Sequence, residues 1–123
     1  MRLNQFIFRL APYVWGIFLL LVTIGSLLPQ NDPTVMHKGG DKLIHFLAYF
    51  FLAIYPALSI KPWYKGFALA LTMIIWGFLL EVAQIAFPSR MFSWADLAAN
   101  AAGVACGALI GLNMRSKWFS IRV

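Results

Sequence analysis

The sequence predicts an all-α membrane protein, a four-transmembrane-helix bundle formed by a single domain over residues 1–123. Of its residues, 62% are hydrophobic and 11% are charged, whereas roughly a quarter are charged in a typical soluble domain. The apolar residues form four runs of about 18–22 residues, and each can cross a ~30 Å hydrocarbon layer at about 1.5 Å per residue. Strands are not expected, because open strands leave backbone groups without partners in lipid.

Turn and breaker residues separate the first two predicted helices. The first helix is predicted over residues 10–28, with Pro12 near its start, where a missing N–H is tolerated. The stretch QNDPTVMHKGG follows, and its Asn-Asp-Pro and Gly-Gly steps are typical of a loop. Asp41 is then expected to cap the second helix, predicted over residues 42–60. Pro56 is expected to kink or end that helix.

The last two predicted helices meet at the short break PSRMFS. The third helix is predicted over residues 66–87 and ends before Pro88. The fourth is predicted over residues 93–113, where Ser93 and an acid three residues later, Asp96, form a pattern typical of a capping box. Because the connection is short, we expect these two helices to be antiparallel neighbours.

Lysine and arginine predict the orientation of the chain. With the N-terminus inside, seven basic residues lie on the inner side, against Lys38, Lys42 and Arg90 on the outer side. The positive-inside rule then places both termini in the cytoplasm of a multi-pass protein of the cell (inner or plasma) membrane. The seven are Arg2, Arg9, Lys61, Lys65, Arg115, Lys117 and Arg122.

Charge and cysteine content exclude other classes. The net charge of +6 is explained by residues that flank the spans, so no nucleic-acid partner is expected. The one cysteine, Cys106, cannot form a disulfide framework or a cysteine metal site, and we expect it to be a small buried packing residue.

Polar residues within the apolar segments are the candidates for function. A charge at the centre of a span costs about 2.5–3.5 kcal/mol on insertion scales. At about 1.5 Å per residue, Glu81 and Asn100 are predicted about 10 Å below the third loop, and Gln84 and Asp96 about 5 Å below it. His45, four residues after Asp41, is predicted near the shallower level. The sequence therefore predicts one polar pocket that opens to the outer face.

Structural roles compete with this prediction. Asp41 and Asp96 would serve only as helix caps. Gln84 and Asn100 would only form hydrogen bonds between helices. Glu81 is the hardest to explain in this way, because a membrane carboxyl must be neutral or paired. Its available partners are Arg90 or, alternatively, His45.

A stripe of small residues marks the fourth segment. Gly103, Gly107 and Gly111 recur at intervals of four, and such a stripe lets another helix approach closely. It predicts packing within the bundle or, alternatively, a homodimer face.

The segments DKLIHFLAYFFL and E-x2-Q-x5-R-x5-D-x3-N-x2-G carry a family resemblance. Together they resemble the VanZ-like membrane protein family, named after a teicoplanin-resistance protein. The resemblance implies a link to the cell envelope or to lipoglycopeptide antibiotics, without implying a reaction. By this match, the polar positions expected to bind a ligand are Asp41, Lys42, His45, Glu81, Gln84, Arg90, Asp96 and Asn100.

Three classes of function remain open from the sequence. The first is a module that binds or modulates a membrane lipid, a cell-wall precursor or a lipoglycopeptide, with Lys42 and Arg90 meeting its anionic groups. The second is an intramembrane enzyme acting on a lipid-linked substrate, with catalytic candidates His45, Glu81 and Asp96. The third is a small transporter, a flippase-like protein or an assembly protein.

An enzyme is less favoured than a binding module, because no nucleophile is indicated: Ser89 and Ser93 have no triad context. A metal site formed by His45, Glu81 and Asp96 is an open alternative. No metal or other cofactor is expected, however, since no ligand-spacing motif such as HExxH occurs.

Overall fold

The computed structural model describes residues 3–29, 40–88 and 90–122, which form four α-helices and, over these ranges, no strand. The helices are α1 (Leu3–Leu27), α2 (Gly40–Ser59), α3 (Trp63–Gln84) and α4 (Trp94–Arg122). All four are long and apolar enough to cross a membrane, which confirms the predicted fold class. Arg2, Lys38 and Ser89, used in the predictions above, lie outside the described residues.

Two helices are longer than predicted. α1 begins at Leu3 rather than near residue 10, and α4 continues to Arg122 rather than ending near residue 113. Hydropathy marks where a helix leaves lipid, but charged residues do not end a helix, so both helices extend beyond their apolar runs. Pro12 consequently lies inside α1 and not near its first turn.

Other predicted helix bounds also differ, and α3 begins at Trp63 rather than near residue 66. α3 stops at Gln84, and the N–H groups of the next three residues bond to carbonyls three residues back, which tightens the last turn ahead of Pro88. α2 begins at Gly40, so Asp41 lies inside its first turn, and its carboxylate accepts a hydrogen bond from Lys42 Nζ at 2.6 Å.

Pro56 neither ends α2 nor leaves an unpaired carbonyl. A proline lacks the N–H that would bond to the carbonyl four residues earlier, here that of Leu52. Trp15 of α1 replaces that donor, because its Nε1–H donates to the Leu52 carbonyl oxygen at 2.9 Å. The helix therefore continues to Ser59.

The glycine stripe of α4 packs along α2. A Cβ added to Gly103 would strike the carbonyl oxygen of Phe46, and one added to Gly107 would strike that of Phe50. Contacts advance by four residues on both helices, so α2 and α4 run parallel with their backbones in close approach. Packing within the bundle is thus confirmed. A homodimer stays a prediction, but the stripe that suggested it already faces α2.

The buried core lies between α2, α3 and α4, with the α2–α4 contact the most extensive. No described side chain of α1 is buried, and this helix lies at the periphery. Cys106 is exposed, contrary to expectation, because the buried face of α4 follows the glycine stripe and residue 106 lies off it.

The two ends of the bundle differ in character. Phe8 of α1 contacts Trp118 of α4, and Lys61, between α2 and α3, lies over the Phe119 ring. The first turns of α1 and the last turns of α4 therefore lie at one end of the bundle, called the termini end below. The opposite end, where Asp41 lies, collects the predicted polar positions and is called the polar end below.

Candidate functional site

The parallel register of α2 and α4 aligns their polar residues one by one at the polar end. Lys42 Nζ ion-pairs with Asp96 Oδ1, and it also contacts Asp41 Oδ2 at 2.6 Å. One turn deeper, His45 Nδ1 lies 2.9 Å from Asn100 Oδ1. Because an amide oxygen only accepts, Nδ1 is the donor in this hydrogen bond. Asn100 is 1% exposed, so the bond holds the imidazole from inside the bundle.

His45 also faces Asp96 through its other nitrogen. Nε2 lies 3.6 Å from Asp96 Oδ2, which is beyond hydrogen-bond length. The two Asp96 oxygens thus have different neighbours: Oδ1 is paired with Lys42, and Oδ2 is turned toward the imidazole. Asp96 therefore links the first turns of α2 and α4.

Glu81 is 1% exposed, and its partner is a backbone group. Its Oε2 accepts a hydrogen bond from the N–H of Ser93 at 3.0 Å. Ser93 Oγ in turn accepts from the N–H of Asp96 at 3.2 Å. Ser93 is thus the N-cap of α4, as predicted. The expected pairing of Glu81 with Arg90 is wrong, since Arg90 bonds elsewhere.

Arg90 and Gln84 cap the C-terminal end of α1. Arg90 Nε–H donates to the Leu28 carbonyl at 2.8 Å and Nη2–H to that of Gly25 at 3.2 Å. Gln84 Nε2–H donates to the Ser26 carbonyl at 2.8 Å. These carbonyls lack intrahelical partners at a helix end. The cationic guanidinium also complements the negative end of the helix dipole.

The depth prediction for Glu81 was off by about one turn. Asn100 lies beside Gly77 of α3, one turn deeper than Glu81. Glu81 instead lies level with Ser93. The cause is the early end of α3, which moves the residues after Gln84 into the connection and raises Glu81 toward it.

His45, Glu81 and Asp96 nevertheless converge, as the prediction of one polar pocket requires. Each offers one nitrogen or oxygen atom, and these atoms all lie within 4.8 Å of one another. They come from α2, α3 and α4 respectively. These are the described residues that could hold a metal ion.

A cavity of about 440 Å³ opens beside this cluster, between α1, α2 and α3. One wall is apolar and includes Phe18, Leu21 and Val22 of α1. The other wall is polar and includes Asp41, His45, Gln84, Arg90 and Asp96.

Two residues with polar side chains in the cavity lining, Tyr49 and Ser26, were not predicted as site residues. Tyr49 follows Asp41 and His45 at intervals of four, so the helical period could have placed it on their face. Ser26 gave no such signal, because its place depends on how α1 packs.

Comparison with known families gives one match. The family model described as VanZ/LLP1 matches residues 3–115 of this chain. The chain belongs to the VanZ/LLP1 family. This confirms the resemblance carried by the α2 segment and the polar pattern of α3 and α4. Neither the curated proteins nor the solved structures with which the chain was compared yield a match.

Proposed function

We propose that this VanZ/LLP1 protein binds an amphipathic molecule of the cell envelope in the cavity at the polar end. The candidates are a membrane lipid, a lipid-linked cell-wall precursor or a lipoglycopeptide. The observation that carries the proposal is the two-sided lining of the cavity: α1 contributes mostly apolar side chains, and most of the polar side chains come from α2, α3, α4 and the connection between α3 and α4. Such a lining suits a ligand with an acyl chain and a polar headgroup.

The polar wall favours a headgroup that donates hydrogen bonds. Lys42 is paired with two carboxylates, and Arg90 donates to two carbonyls of α1. Neither cation is therefore free to meet a phosphate without giving up its present partners. Asp41 and Asp96 contribute carboxylate oxygens to the cavity wall, and these accept from hydroxyl or ammonium groups. Sugar and amino headgroups carry such groups.

The predicted orientation supports a ligand from the outer leaflet. Basic residues are concentrated at the termini end, which the positive-inside rule assigns to the cytoplasm. The polar end and its cavity then face the outside of the cell (inner or plasma) membrane.

Native mass spectrometry tests this function. The full chain, purified in mild detergent, is expected to carry an envelope lipid or precursor as a mass adduct. Val22→Phe fills the cavity from its apolar wall and should remove the adduct. Ile24→Phe is the matched control, because Ile24 is on the same helix, is 47% exposed and does not line the cavity. An adduct that persists equally in both variants would contradict the proposal.

The convergence of His45, Glu81 and Asp96 favours an intramembrane enzyme as the second candidate. These groups could supply acid and base to a lipid-linked substrate in the cavity. The Ser93 hydroxyl is already used as the cap of α4, and Ser89 lies outside the described residues. Incubation of the protein with extracted envelope lipids, followed by mass spectrometry, tests this candidate. Product formation that is lost in His45→Gln, while the bound adduct is kept, would support it.

A further inference from the structure

Three side chains from three helices approach one point at the polar end. His45, Glu81 and Asp96 each present one ligand atom, with all three atoms inside 4.8 Å. Glu81 is 1% exposed, and the side chains of His45 and Asp96 are 20% and 16% exposed. The group is therefore shielded, yet His45 and Asp96 also border the cavity.

His45 Nε2 and Asp96 Oδ2 face each other without a hydrogen bond between them. With the imidazole proton on Nδ1, donated to Asn100, Nε2 of a neutral ring carries a lone pair. That lone pair faces the carboxylate oxygen Oδ2 at 3.6 Å, and two electron-rich atoms repel at this range. Two ligands of one metal ion, each bound at about 2.1 Å, lie roughly 3.4 Å apart in a tetrahedral site. The observed separation is close to that value.

The surrounding charges also favour a cation. The carboxylates of Asp41 and Asp96 both contact the ammonium of Lys42, and the Glu81 carboxyl lies beside Asp96 and His45. With all three carboxyls ionised and the imidazole neutral, this group carries two formal negative charges more than positive ones. Arg90 does not balance them directly, because its guanidinium bonds to the carbonyls that end α1. A divalent ion would neutralise this excess.

Each of the three side chains is oriented by a neighbour, as metal ligands in proteins usually are. Asn100 fixes the ring of His45, and Lys42 holds Oδ1 of Asp96. The Ser93 N–H holds Oε2 of Glu81. These contacts leave one atom of each group for an ion.

We propose that His45 Nε2, Asp96 Oδ2 and the Glu81 carboxylate bind one divalent transition-metal ion. One imidazole nitrogen with two carboxylate oxygens is a donor set that suits Zn²⁺, Mn²⁺ or Fe²⁺. Three protein ligands leave a coordination position open beside the cavity. The competing occupant of the gap is a proton on Nε2, which would make His45 an imidazolium that binds no metal.

Titration with Co²⁺ as a spectroscopic probe tests the site. The full chain in detergent, stripped with EDTA, is expected to bind one equivalent with visible absorption bands, and Zn²⁺ should displace it. His45→Gln, Glu81→Gln and Asp96→Asn should each weaken binding at least about tenfold. Asp41→Asn is the matched control: it removes a charge from the same group but no ligand, and should weaken binding clearly less than any of the three ligand variants.

A second measurement needs no variant. Saturating Zn²⁺ should raise the thermal midpoint of the wild-type protein, because an ion that binds only the folded state stabilises it. Absence of Co²⁺ binding, unchanged affinity in the three ligand variants, or equal weakening in Asp41→Asn would each overturn the proposal. Since neither experiment contains an envelope ligand, their outcome is independent of the function proposed for the cavity.

Discussion

At the residue scale, the hydrogen bond from Ser93 to Glu81 changes the role of Asp96. In a capping box, the acid three residues after the N-cap bonds back to the N-cap N–H. Here Glu81 of α3 accepts that N–H. The Asp96 side chain is thereby left for Lys42 and for the gap beside His45. Glu81 of α3 thus takes the place of Asp96 at the N-terminus of α4, and the carboxylate of Asp96 is available to the site.

This contact predicts different outcomes for two substitutions at Glu81. Glu81→Gln keeps an oxygen acceptor for the Ser93 N–H, so the unfolding free energy in EDTA should change little. Glu81→Leu leaves that N–H without a partner inside the bundle, which should cost about 1–3 kcal/mol. Thermal or denaturant unfolding of the purified variants in detergent and EDTA provides the measurement. Equal stability of the two variants would count against this role of Glu81.

Arg90 supplies the control for that experiment. Because it bonds to α1 and not to Glu81, Arg90→Gln should destabilise the protein independently. The double variant with Glu81→Gln should then show additive losses, to within about 0.5 kcal/mol. If the double variant were instead more stable than Arg90→Gln alone, the result would support an ion pair between Arg90 and Glu81.

At the element scale, the parallel pair of α2 and α4 positions the site. Small residues allow the two backbones to touch, and the same register then sets Lys42 beside Asp96 and His45 beside Asn100. The two polar contacts lie on the same faces of α2 and α4 as the glycine contacts, but nearer to the first turns of both helices. A change that separates the helices should therefore disturb the site as well as the packing.

We expect Gly107→Leu to destabilise the bundle by at least about 1–3 kcal/mol, because its side chain would overlap the backbone of Phe50. Cys106→Leu is the matched control, since the adjacent position is exposed on the same helix. The thermal midpoint of each variant in detergent is the measurement. Equal midpoints would mean that the stripe does not pack as described.

At the scale of the whole molecule, α1 has no buried side chain among its described residues, but side-chain hydrogen bonds join it to the rest of the bundle. Trp15 donates to α2, and Trp76 Nε1–H of α3 donates to Thr23 Oγ1 at 3.0 Å. Gln84 and Arg90 hold the last turn. Since α1 also forms the apolar wall of the cavity, these few bonds define the space in which a ligand would lie.

The charge distribution over the whole chain predicts that both termini are cytoplasmic. An even number of spanning helices puts the two termini on one side, and the basic residues gather at that end. A green fluorescent protein fused to the C-terminus should fluoresce, and an alkaline phosphatase fused there should be inactive. The reverse pattern would place the cavity on the cytoplasmic side and would contradict the proposed orientation.

The sequence by itself determined the fold class, the family and the set of polar residues at one end of the bundle. Hydropathy, breaker residues and the spacing of glycines are local properties, so they can be taken directly from the chain. Which groups form hydrogen bonds with one another was decided only by the tertiary structure. Pro56 was expected to disturb α2, but Trp15 of another helix supplies the missing donor. Arg90 was expected to pair with Glu81, but the free carbonyls at the end of α1 are its partners. A hydrogen-bonding group takes whichever partner lies nearest in space, and α1 is brought to these residues by packing that no local pattern encodes.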